Sequence, residues 1–133
     1  MESLLPLVLL LSLTSITGII YRIKRGHIKK GKRLQISESE IGASYGKRAS
    51  ILQFSTTFCS ECRSAKAIVK DVVKDLSDIS YIELDAESNL DLVRRVDIRS
   101  TPTTIFLDGK GFEVARAKGA PKRDQLIKAL KAI

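Results

Sequence analysis

The chain has 133 residues, room for one domain of about 100 residues and a short appendage. At 44% hydrophobic and 29% charged it has the makeup of a folded protein, which excludes wholesale disorder. Its net charge of +8 is local: residues 22–33 hold seven bases and no acid, whereas residues 34–133 hold sixteen bases against fourteen acids. A folded basic face for DNA or RNA is thereby excluded, and no nucleic-acid partner is expected.

The first element is Leu4–Tyr21, uncharged and rich in Leu and Ile. As a helix it spans roughly 27 Å, close to the ~30 Å hydrocarbon core of a bilayer. Pro6 falls in the first turn, where its missing N–H costs little. Ser12, Thr14, Ser15 and Thr17 dilute the apolarity, so the span is a modest one. A cleaved signal peptide is the rival reading, since Ser15, Thr17 and Gly18 are small. Secretory signals, however, place positive charge before the apolar run, and here Arg22, Lys24, Arg25, Lys29, Lys30, Lys32 and Arg33 follow it. The expectation is a single-pass anchor over residues 1–21 with membrane lipid as a partner. The charge asymmetry predicts that the remainder lies on the cytosolic side. Residues 22–33, with Gly26 and Gly31 among the bases, read as a flexible basic juxtamembrane tether in which His27 is solvated.

From Leu34 strand and helix signals alternate. Leu34–Ile36 reads as an edge strand, followed by a short helix near Glu38–Tyr45. Ser50–Ser55, with Ile51, Leu52 and Phe54, reads as a buried strand. From Cys62 a helix is marked by Ala65, Ile68, Val69, Val72, Val73 and Leu76 at steps of three and four. Ile79–Asp85 reads as a second strand, and Leu90, Val93 and Val96 mark a short helix. Thr103–Asp108 and Glu113–Ala117 are strands joined through Asp108-Gly109-Lys110-Gly111, a strong hairpin signal. Leu126, Ile127, Leu130 and Ile133 form the apolar face of a closing helix. Strand–helix–strand implies a right-handed crossover and a parallel pair, to which the hairpin adds antiparallel strands. The fold class is therefore α/β, with a central mixed sheet of four to five strands flanked by helices over residues 34–133.

The chemistry concentrates in Phe58-Cys59-Ser60-Glu61-Cys62-Arg63, between the first buried strand and the long helix. Unpaired N–H groups and the positive dipole end at a helix start stabilise an anion, here the Cys59 thiolate that attacks disulfides. Two intervening residues put Cys62 one turn into the helix, within bonding distance, where it resolves a mixed disulfide on Cys59. Zinc needs four ligands, and the chain offers only His27 besides the cysteine pair, so no metal and no cofactor are expected. Two cysteines also exclude a disulfide scaffold, while inert buried thiols remain an alternative.

Three motifs, Phe54-Ser-Thr-Thr-Phe-Cys-Ser-Glu-Cys62, Arg99-Ser-Thr-Pro-Thr103 and Lys118-Gly119-Ala120, occur in an order that resembles the thioredoxin family over Leu34–Ile133. With the anchor, the whole chain resembles bacterial membrane-tethered thioredoxin-like proteins. The resemblance implies a cis peptide at Thr101-Pro102 facing the cysteine pair, with the Thr101 backbone pairing to an extended substrate and Gly119 lining the same groove. Phe58 stands where the family usually has Trp, keeping an apolar shield without an indole donor. Ser60 and Glu61 replace Gly-Pro. The Glu61 carboxylate disfavours a second negative charge nearby, and Arg63 is expected to offset it. Gln53 and Tyr81 align with the family's buried aspartate and its partner lysine, so a proton acceptor for Cys62 is lost.

The expected activity is thiol–disulfide exchange with protein disulfide substrates, in the reducing direction. It implies an upstream thiol reductant, such as a thioredoxin reductase, and a monomer. Two alternatives stay open: an outward-facing reductant for cytochrome maturation or envelope thiol repair, and a non-catalytic adaptor of the same fold.

Overall fold

The computed structural model describes residues 4–133. Ten elements follow in order: α1 (Leu4–Lys24), β1 (Ile28–Lys30), α2 (Glu38–Ile41), β2 (Ala49–Ser55), α3 (Ser60–Val73), β3 (Ile79–Asp85), α4 (Leu90–Arg95), β4 (Thr103–Asp108), β5 (Glu113–Lys118) and α5 (Arg123–Ala132). The strands form one mixed sheet in the order β1-β5-β4-β2-β3. The β2–β3 pair is parallel, and β2–β4, β4–β5 and β1–β5 are antiparallel.

Strand alternation sorts the core into two layers. Leu52 and Phe54 of β2 and Ile105 and Leu107 of β4 pack with Ile41 of α2 and Leu92 of α4. Ala49 and Ile51 of β2 and Phe106 of β4 pack instead with Val69 of α3 and Leu126 and Leu130 of α5. The same parity turns Gln53, fully buried, toward α3. The β4–β5 turn is shaped by Asp108, whose Oδ1 accepts the N–H groups of Lys110 at 2.9 Å and Phe112 at 3.0 Å. Gly111 there has φ +83°, a conformation suited to glycine.

Four expectations for the chain before β2 are corrected. The basic run expected as a flexible tether is instead structured, since α1 continues to Lys24 and Ile28–Lys30 pairs antiparallel with β5 as a fifth strand. Main-chain hydrogen bonding to an open sheet edge outweighs the low strand preference of Lys-Lys. His27, expected in solvent, is half-buried, its Nδ1 2.9 Å from Gln125 Nε2, while the Gln125 carbonyl accepts the Ile28 N–H at 3.2 Å. The expected edge strand at Leu34–Ile36 reduces to a single bridge from Gln35 to Phe112. The helix expected near Glu38–Tyr45 stops at Ile41, because Gly42 adopts φ +65° and its N–H closes on the Glu38 carbonyl.

The 21-residue α1 is about 31 Å long at about 1.5 Å per residue, and none of its residues is buried. It is long and apolar enough to cross a membrane.

Candidate active site

β2 ends at Ser55 and the chain turns through Thr56–Phe58 into α3, whose N-cap is Cys59 with extended backbone (φ −104°, ψ 101°). The Cys59 sulfur accepts the Cys62 N–H at 3.1 Å, so the sulfur occupies the capping position that an oxygen takes in most helices. The sequence folds this way because the polar Ser60-Glu61 pair opens the helix while Cys62, Ala65 and Val69 supply its buried stripe. Cys59 and Cys62 are joined in a disulfide with their Cα atoms 5.2 Å apart. Cys62 is buried and Cys59 half-buried, so Cys59 is the sulfur a substrate can reach. Phe58 is 98% exposed, an apolar side chain held in solvent beside the dithiol. A buried shield would not stand clear in this way. The aromatic ring is available to a docking substrate.

The Thr101-Pro102 peptide is cis and Pro102 is buried. The Thr101 hydroxyl lies 3.4 Å from that of Thr56, on the loop that carries Cys59. Gly119 donates its N–H to the Pro102 carbonyl at 2.7 Å. Thr101, Pro102 and Gly119 are thus linked to one another and, through Thr56, to the loop that carries Cys59. On the other side of Cys59 an open groove of about 470 Å³ is lined by Ser55, Thr56, Thr57, Arg63, Lys66, Glu83 and Asp85. Lys66 pairs with Glu83 at 2.5 Å. The Asp85 carboxyl is held below its ordinary range by the Ser88 hydroxyl, then by the Glu87 N–H.

Beneath the dithiol, Gln53 makes three bonds. Its Nε2 donates to the Cys62 carbonyl at 2.9 Å and to Ser55 Oγ at 3.0 Å, and its Oε1 accepts from the Tyr81 hydroxyl at 3.0 Å. Burial, then the charge of Glu83, pushes the Tyr81 hydroxyl well above its ordinary range, so it stays a donor at physiological pH. Gln53 and Tyr81 therefore do partner one another across β2 and β3. The Thr104 hydroxyl, in register with Gln53 on β4 and buried, has no partner among the described residues.

Glu61 departs from expectation. The base beside it is Arg25, whose Nη2 lies 2.9 Å from Glu61 Oε2, while Arg63 is exposed and faces the other groove. Oε1 of Glu61 accepts the Ala120 N–H at 3.2 Å. In the sequence Arg25 is one of seven bases in the run expected as a tether. Only the docking of the chain beside Lys118–Ala120 reveals its reach.

A helix-capping sulfur bonded to a second cysteine one turn on, on a loop that touches the residue before a cis-proline, defines a dithiol–disulfide exchange site. The thioredoxin family model matches residues 37–132, well over half of the chain, and the chain belongs to that family. It is 29% identical to thioredoxin-2 of Saccharomyces cerevisiae over 84 residues, 63% of this chain and 80% of that protein. It is 26% identical to the thioredoxin of Gallus gallus over 104 residues, 77% and 98% of the two chains. Among solved structures, spinach chloroplast thioredoxin f superposes with a TM-score of 0.57 at 26% identity, covering 65% of this chain and 71% of that one. A malaria-parasite thioredoxin-2, described as a component of that parasite's protein secretion machinery, gives 0.62 at 22% identity over 79% and 98%, a likeness of fold alone. Both sequence relatives are eukaryotic, and neither supports a bacterial origin. The chain is a thioredoxin-family thiol–disulfide oxidoreductase, and thioredoxins act on protein disulfides.

Proposed function

We propose that this oxidoreductase is a membrane-anchored protein disulfide reductase, held by α1 with its domain on the cytosolic side. The observation that carries the chemistry is the Cys59 sulfur at the start of α3, accepting the Cys62 N–H. In the reduced enzyme the same N–H and the helix dipole meet a thiolate. That thiolate attacks one sulfur of a substrate disulfide. The substrate S–S bond breaks, an S–S bond to Cys59 forms, and the departing sulfur takes a proton from solvent. The Cys62 thiolate then displaces Cys59-bound substrate, releasing the second substrate thiol and leaving the Cys59–Cys62 disulfide. Two electrons pass to the substrate, and an upstream dithiol reductant restores them.

The proton of Cys62 must leave without a buried carboxylate, because Gln53 accepts none. Both Glu61 oxygens already accept bonds, from Arg25 and Ala120. Water or the departing substrate thiolate is the remaining acceptor. Substrate backbone would pair with Thr101 beside Pro102 as a short strand addition.

The anchor reading rests on the exposed apolar length of α1 and on bases that follow it. The cytosolic orientation rests on the same charge order, and the reducing direction on the poise of that compartment. Contacts between Arg25 and the Gly119 loop favour membrane-proximal substrates, since Arg25 is one residue beyond α1. The domain organisation we propose is an anchor over residues 1–21 and a folded unit that recruits residues 25–30.

The test is reduction of a model protein disulfide by the full chain in detergent. Cys59→Ser should abolish it, and Cys62→Ser should accumulate a mixed disulfide that the Cys59 variant does not form. Equal activity in Cys59→Ser would overturn the chemistry. Protease digestion of sealed vesicles carrying the chain decides the orientation, and a domain protected with the lumen rather than the cytosolic face would overturn that part alone.

A further inference from the structure

We propose that Arg25, the residue joining the apolar helix to the sheet, is a positioning residue of the dithiol site that acts on Cys59 through Glu61. The inference rests on the dithiol chemistry of Cys59 and not on the membrane reading.

α1 ends at Lys24, and two residues later the Gly26 N–H donates to the Lys118 carbonyl at 2.6 Å. Gly26 has φ +81°, and a Cβ there would run into the Ala120 carbonyl oxygen, so the backbone lies flush against the 118–120 loop. That loop carries Gly119, already tied to Pro102. Arg25 extends over Gly119: a Cβ on Gly119 would meet Arg25 Cγ at 2.7 Å, Arg25 Nε at 3.0 Å and Glu61 Oε1 at 2.9 Å. Glycine at 119 is therefore what allows the guanidinium and the carboxylate to meet above the loop.

Glu61 lies between the two cysteines in sequence, in the first turn of α3. An unbalanced carboxylate there opposes a thiolate at Cys59. Arg25 and the Ala120 N–H hold that carboxylate on the Gly119 side of the groove and balance its charge. Arg63, Lys66, Glu83 and Asp85 are the other charged groups that line a groove with Cys59. Lys66 of α3 binds Glu83 of β3, Asp85 binds Ser88, and Arg63 makes no ion pair among the described residues. Arg25 is the base that pairs with Glu61. The Arg25 and Glu61 side chains are 35% and 37% exposed, so solvent attenuates the pair and a modest effect is expected.

The test follows the alkylation rate of Cys59 by iodoacetamide against pH in the reduced full chain, in detergent and with Cys62→Ser as the parent. Arg25→Gln should raise the midpoint by roughly 0.5–1 pH unit, and Arg25→Lys should restore at least half of that shift. In a Glu61→Gln background, Arg25→Gln should move the midpoint by less than a third as much. An unmoved midpoint in Arg25→Gln would overturn the proposal. So would an equal shift in the Glu61→Gln background, because Arg25 would then act on the sulfur without Glu61. A parent Cys59 that alkylates no faster than free cysteine at any pH would overturn the dithiol reading itself, and this inference with it.

Discussion

Gln53→Asp places an ionisable group where this chain has none, and the surroundings fix the direction of its effect. Gln53 is fully buried and gives its N–H groups to Cys62 and Ser55 while accepting from Tyr81. Aspartate is one methylene shorter and, when charged, can accept the Tyr81 hydroxyl but has nothing to give the two oxygens. Full burial raises a carboxyl by up to about 3–5 pH units, and the surviving Tyr81 bond offsets part of this, so a net rise of about 2 is a reasonable expectation. At about 1.4 kcal/mol per unit, that is about 2.8 kcal/mol. The folded value exceeds the unfolded one near 3.9, so the folded state holds the proton more tightly. Relative to wild type, stability is therefore intact below about pH 4, falls as pH rises through about 6, and is flat above. Urea unfolding of the oxidised full chain in mild detergent, at pH 4, 6 and 8, measures it. The gap between variant and wild type should widen by about 2–3 kcal/mol across that range. A gap independent of pH would refute the reasoning, because the new carboxyl would then be hydrated. Above its titration the same group should speed Cys62-dependent release of a trapped substrate, since it can take the proton Gln53 cannot.

Other outcomes follow from single contacts. Gly119→Ala sets a side chain at φ +83° against Arg25 and Glu61, and should cost about 1–2 kcal/mol in urea unfolding while raising KM for a protein disulfide. Arg116 binds buried Glu113 through two bonds, at 2.5 and 3.0 Å, and also donates to the Val96 carbonyl at 3.0 Å. Arg116→Met should thus cost about 3–5 kcal/mol by stranding a buried carboxylate, and adding Glu113→Leu should recover most of it.

The cysteine pair, Pro102 and Gly119 were legible because each belongs to a short run whose order carries meaning. The central strands were legible too, since burial on both faces leaves β2 with apolar Ala49, Ile51, Leu52 and Phe54 divided between its two sides. The helix α3 declared itself by the spacing of Ala65, Val69 and Val73, although its start at Ser60 depends on Cys59 serving as cap. β1 was not legible. Ile28-Lys29-Lys30 offers one apolar residue, and its strand exists only by pairing with Ala115–Ala117 far along the chain. Arg25 was hidden for a related reason. Among seven bases in one run, nothing local distinguishes the one that meets a carboxylate in α3.

The structure also divides that run by task. Arg25 is bound to Glu61, and Lys32 binds Asp97, whose carboxyl Arg99 and then Lys32 hold down at about 2. Among the described residues, Arg22, Lys24, Lys29, Lys30 and Arg33 form no ion pair. At about 1 kcal/mol per base near an anionic surface, those five would contribute at most about 5 kcal/mol to membrane contact. Strand alternation lowers the figure, because Lys29 and Lys30 point to opposite faces of β1 and only one of them can turn toward a given plane. The other is not idle. β1 is an edge strand, and a lysine projecting beside its unpaired backbone discourages another chain from extending the sheet. A single basic run thus pairs with carboxylates at Glu61 and Asp97 and guards an open edge.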